Sequence, residues 1–203
     1  MHRSSQKNKH CHQKKNTSNG CMLLLQPPGH RRIAFYEGKC FTGGKLEVCG
    51  ACESFQERGF PSRLSSVCVA SGAWICFDRA GFRGRQYALE HGHYPDFRLW
   101  SAPAVGGCRP CTHGEHYRIE IFEGNRFSGR SLEFTEDCSF LQGRGWDKNY
   151  VNEASFVFGW VLYEKPSYRG RMYVVERGEF SSCHEWHVQR PNVQSIRRVI
   201  NYY

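Results

Sequence analysis

At 203 residues the chain has room for two small domains, and its 14% aromatic content supplies the large side chains that cores of that size need. The formal net charge of +9 is uneven: residues 1–32 carry seven Lys or Arg and no acid, while residues 33–203 carry 21 basic and 19 acidic groups. A nearly neutral body argues against a nucleic-acid-binding body, and with no run of 18 apolar residues no membrane helix is expected.

In chain order, residues 1–31 come first as a basic, polar extension, expected to stay solvated and disordered. The apolar patch at 22–25 is too short for a secretory leader. A cassette of two aromatics and a glycine then occurs four times: Tyr36-x4-Phe41-x-Gly43, Phe77-x4-Phe82-x-Gly84, Phe122-x4-Phe127-x-Gly129 and Tyr163-x4-Tyr168-x-Gly170. Their starts are 41, 45 and 41 residues apart, so the copies pair into two domains of two units. At an offset of 86, Trp74, Tyr87, Gly92 and Trp100 return as Trp160, Tyr173, Gly178 and Trp186. Each cassette reads as a strand (32–35, 74–77, 118–122, 160–163), a glycine- or proline-containing turn, and a second strand (45–48, 85–89, 131–134, 171–175). The last glycine of each supplies a positive φ or room for a ring to fold over the hairpin. No long amphipathic helix is written anywhere. Four antiparallel strands with a long return connection make a Greek key, and two keys face to face make a β-sandwich.

These four cassettes resemble the Greek-key signature of the βγ-crystallin family. Residues 90–97 with Trp100 resemble its tyrosine-corner segment, residues 176–180 with Trp186 are the counterpart, and residues 194–199 resemble its last strand. The resemblance covers about 31–203 and is nearest to the branch that is β-like in one half and γ-like in the other. It implies an all-β chain of two βγ-crystallin domains, each a sandwich of two Greek keys. Their expected bounds are 32–110 and 117–203, with a linker at 111–116. Family keys end in a serine that braces the folded hairpin; Ser66 and Ser195 fit. Gly107 stands where serine is expected in the second key, and the role of Ser155 in the third is ambiguous. Looseness is therefore expected near 101–109 and 150–159.

The chemistry-bearing patterns are sparse. Cys49-x2-Cys52 and Cys108-x2-Cys111 lie too far apart for a zinc ribbon. The stretches corresponding to the family's calcium ligands, 61–66 and 190–195, lack a pair of acidic residues and each carries an Arg. No nucleophile elbow or phosphate loop is present, so neither catalysis nor a cofactor is expected. Eleven cysteines without a leader fit reduced thiols, with Cys49, Cys52, Cys108 and Cys111 expected at the surface because they sit near loops. Trp74, Trp100, Trp160 and Trp186 are expected as paired core residues, which in the family also dissipate ultraviolet excitation. The resemblance implies a structural, refractive, cytoplasmic protein of the lens fibre cell. It implies a monomer with weak short-range contacts to other crystallins, and no nucleic-acid or membrane partner for the body. The alternatives left open are a calcium-binding module outside the lens and a stress or retinal structural protein.

Overall fold

The computed structural model describes residues 31–97, 104–111, 116–151, 153–157, 159–176, 178–180 and 192–200. The basic extension up to residue 30, Trp100, Trp186 and most of the expected linker lie outside them. Among the described residues the chain forms fourteen strands and short 3-10 turns, with no α-helix.

The first half contributes β1 (Arg32–Tyr36), β2 (Lys45–Val48), β3 (Ser66–Ser71), β4 (Trp74–Arg79), β5 (Arg83–Leu89), β6 (Gly92–Tyr94) and β7 (Gly107–Pro110). The second contributes β8 (Arg118–Phe122), β9 (Ser131–Phe134), β10 (Glu153–Val157), β11 (Trp160–Lys165), β12 (Arg169–Val175), β13 (Gly178–Phe180) and β14 (Ser195–Arg198). One four-stranded sheet runs β2-β1-β3-β6, and its counterpart runs β13-β10-β8-β9. Strand β6, from the second key, thus completes the sheet of the first, and β13 does the same in the other half. Each domain is a Greek-key sandwich whose keys exchange a strand. All ladders are antiparallel.

The third sheet joins the domains. It runs β14-β11-β12-β5-β4-β7, and β5 meets β12 at the pair Gln86 and Met172. The pleat explains how one strand serves two packing layers, because successive side chains point to opposite faces. On β4, Trp74 and Cys76 enter the first core while Ile75 and Phe77 enter a layer between the domains. On β11, Trp160 and Leu162 enter the second core while Val161 and Tyr163 face the first domain. Burial on both faces is why these strands read as unbroken apolar runs, whereas β8 alternates between buried Ile119 and Ile121 and more exposed neighbours.

Two expectations are refined here. Within the stretches expected to be loose, 107–109 and 153–157 are paired strand, β7 with β4 and β10 between β8 and β13, while 101–103, 152 and 158 lie outside the described residues. Cys111, assigned to the linker, instead extends the first domain. Its N–H donates to Ala73 O at 2.8 Å and its side chain is buried between the domains.

Candidate functional site

The four folded hairpins carry the most specific geometry. In each, two consecutive residues take left-handed backbone angles: Cys40 and Phe41, Gly81 and Phe82, Arg126 and Phe127, Ser167 and Tyr168. The cassette glycine follows, also at positive φ, at Gly43, Gly84, Gly129 and Gly170. Seven of the eight paired positions are not glycine, and such a conformation costs about 1–2 kcal/mol per residue. What it achieves is visible in the rings. The second aromatic folds back onto the first, with centroids 5.7 Å apart for Tyr36 and Phe41, 5.5 Å for Phe77 and Phe82, 5.4 Å for Phe122 and Phe127, and 5.7 Å for Tyr163 and Tyr168. Aromatic pairs at this separation and tilt are favourable beyond their area burial.

A side chain on the opposite strand braces three of the four folds. The residue paired with the first aromatic is Ser66 opposite Tyr36, Gly107 opposite Phe77, Glu153 opposite Phe122 and Ser195 opposite Tyr163. The Ser66 hydroxyl accepts from Phe41 N at 2.9 Å and donates to Gly38 O at 2.6 Å. That of Ser195 accepts from Tyr168 N at 3.0 Å and donates to Lys165 O at 2.7 Å. In the third key the brace is Glu153, not Ser155. Its buried carboxylate accepts from Arg126 N at 2.6 Å and also from Phe127 N, the two N–H groups that the left-handed pair turns to one side. Ser155 pairs with Glu120, two residues along the ladder and too far to reach the hairpin tip. In the second key there is no side chain at all. A Cβ on Gly107 would lie 2.7 Å from Glu53 O and 2.9 Å from Cys52 O, so close approach of another segment demands glycine there.

A second carboxylate closes three of the hairpins from within. Glu37 accepts from Gly44 N at 3.3 Å, Asp78 from Arg85 N at 2.9 Å and Glu164 from Arg171 N at 3.1 Å. The acids that follow the first aromatic are therefore hairpin latches.

The tryptophans within the described residues are wholly buried. Trp74 Nε1 donates to Ser71 O at 3.0 Å, Trp146 Nε1 donates to Tyr150 O at 3.1 Å, and Trp160 packs edge-on against Tyr117 at 6.3 Å. Tyr94 forms the expected corner, donating its hydroxyl to Glu90 O at 2.9 Å.

The interdomain face is built twice over from equivalent positions. Ile75 and Val161, Phe77 and Tyr163, Ala88 and Val174 are each 86 residues apart, and all lie in the same buried layer. Two ion pairs flank it symmetrically, Arg109 with Glu176 and Arg197 with Glu90, the latter at 3.1 Å. At the centre Gln86 Oε1 accepts from Val174 N at 2.7 Å. Sequence reading had not identified this face residue by residue. The signal was the unbroken apolar run of β4 and β11.

The cysteines depart from expectation. Cys49 is exposed, but Cys52, Cys108 and Cys111 are buried, and the other exposed thiol among the described residues is Cys40. Proximity to loops misled because Cys52 and Cys108 pair across a backbone bridge into the first core. Burial raises the thiol pKa of Cys76, Cys108 and Cys111 far above the ordinary value, helped at Cys111 by Glu176. Among the described residues no group of three or more His, Cys, Asp or Glu could hold a metal ion.

The family model described as Beta/Gamma crystallin matches residues 32–111 and 118–199. Gamma-crystallin N of Xenopus tropicalis is 57% identical over 178 residues, covering 85% of this chain and 97% of its own length. Gamma-crystallin N of Rattus norvegicus is likewise 57% identical over 178 residues with the same coverage, and gamma-crystallin E of Mus musculus is 37% identical over 174 residues, covering 85% of this chain and 99% of its own. With its paired and braced Greek keys, the chain belongs to the beta/gamma-crystallin family.

Proposed function

We infer that this chain is a structural constituent of the eye lens, a refractive crystallin whose task is to stay folded and transparent at high concentration. The observation that carries the reading is the pairing of two internally duplicated, braced domains in a chain similar to gamma-crystallin N over most of its length. The mechanism is physical. Arg, Cys and aromatic side chains are highly polarisable for their mass, and residues 33–203 hold seventeen Arg against four Lys. A near-neutral body of mixed sign limits long-range repulsion and hence osmotic pressure, at some cost in charge-based solubility.

In this reading the protein acts as a monomer in the cytoplasm of the fibre cell and meets other crystallins through weak short-range contacts. It performs no catalysis and needs no cofactor. No helix among the described residues is long and apolar enough to cross a membrane.

Static light scattering over rising protein concentration tests the reading. A clear solution whose scattering per unit mass falls as concentration rises is expected. Scattering that climbs steadily into clusters would contradict it. Saturable calcium binding with a raised melting temperature would replace it with the calcium-module reading.

A further inference from the structure

A groove opens beside the domain junction, where β5 and β12 begin, and its walls are arginine-rich. Arg85 comes from β5, Arg169 and Arg171 from β12, and Arg197 from β14, with Tyr163 and Tyr168 between them. One carboxylate, Glu164, lines the groove, and its Oε2 accepts from Arg171 N. Arg197 is already paired with Glu90. Arg85, Arg169 and Arg171 have no carboxylate partner among the described residues.

Two residues that line the groove each carry a buried polar atom without an adequate partner. Arg171 Nε has no hydrogen bond, although its guanidinium stacks over the Tyr173 ring at 5.4 Å. The hydroxyl of Tyr87, a residue 5% exposed, makes no well-formed hydrogen bond, with the Asp78 carboxylate and the guanidiniums of Arg85 and Arg171 all near enough to act on it. A buried donor with no acceptor is costly, so such a pair points to a ligand that brings acceptor oxygens. The donors are cationic forks and a phenol, the set that suits phosphate oxygens.

We propose that this groove binds a polyphosphate anion, seated by Arg85, Arg169 and Arg171 with the Tyr87 hydroxyl as a further donor. Three guanidiniums with no carboxylate partner among the described residues match several negative charges better than one. The site depends on both domains, because Arg85 belongs to the first and the other two to the second. Binding therefore favours the docked arrangement of the domains.

The test uses the full chain, labelled with nitrogen-15, and titrates it separately with tripolyphosphate, ATP and adenosine. The basic extension also attracts polyanions, so the readout is local: the Nε–Hε resonance of Arg171. A saturable shift with Kd of about 1 mM or tighter is expected for tripolyphosphate and ATP, weakening with added salt, and none for adenosine. The double variant Arg85→Gln, Arg169→Gln keeps the groove's buried groups and should weaken binding at least tenfold while its melting temperature stays unchanged. Equal affinities for the two phosphates assign the site to the phosphate chain alone; a clear preference for ATP adds a base stacked on a tyrosine. Both uphold the proposal. No shift at Arg171, or equal binding by the double variant, overturns it.

Discussion

At the scale of single residues, burial decides what the cysteines do. Cys76 and Cys108 lie in the first core and Cys111 lies between the domains, so each is held as a neutral thiol. Raising the pH through the ordinary thiol range ionises them in the unfolded chain but not in the folded one. Their contribution is thus complete below about pH 8.5 and is lost as pH climbs toward the raised folded values. For three such thiols the loss by pH 9.5 is about 4 kcal/mol. Urea unfolding under reducing conditions at pH 7.5 and 9.5 measures it, and an unchanged midpoint would contradict the burial. Cys40 and Cys49, by contrast, are exposed. Thiol labelling of the native protein followed by peptide mapping should modify these two and leave Cys52, Cys68, Cys76, Cys108, Cys111 and Cys138 protected until the chain unfolds. Among the described thiols, oxidative crosslinking between chains would then start at Cys40 or Cys49, and modification of Cys108 in the native state would refute that assignment.

At the scale of the element, each hairpin balances left-handed strain against a stacked ring together with a latch, a brace or both. The third hairpin depends on one buried carboxylate for two backbone N–H groups. Glu153→Ala leaves both without an acceptor and should cost about 2–4 kcal/mol. Glu153→Ser places a hydroxyl where Ser66 and Ser195 stand in their own keys and should recover part of that loss. Chemical denaturation of both variants checks the ordering, and a Glu153→Ala protein as stable as the parent would remove the brace from the account. Much of this was legible in the sequence. The cassette's aromatics and glycines fixed where the hairpins fold, and Ser66 and Ser195 stood out by their motif. The brace of the third key did not, because the eye follows residue type, while register decides which side chain faces the hairpin. Glu153 sits opposite Phe122 as Ser66 sits opposite Tyr36. The left-handed angles of Phe41, Phe82, Phe127 and Tyr168 were equally hidden, since nothing in an aromatic residue announces a positive φ.

At the scale of the whole molecule, the two halves meet as approximate copies across a pseudo-twofold centre at Gln86 and Met172. The relation is that of an isologous dimer interface, in which each partner presents the same patch, here within one chain. Strands β4, β5, β11 and β12 therefore carry two packing duties, one toward a domain core and one toward the other domain. Sequence repeats revealed the duplication but left open whether the faces meet within a chain or between chains, because periodicity identifies an apolar face without identifying what covers it. The ion pairs Arg109 with Glu176 and Arg197 with Glu90 span that face at its two sides and bias it toward one alignment. If a chain closes its own interface, that apolar layer is not open to a second copy. Sedimentation equilibrium of the full chain across a wide concentration range tests this most directly. A constant mass of 23.5 kDa is expected; a concentration-dependent rise to twice that mass would mean that the domain faces exchange partners between chains, and would contradict the closed arrangement.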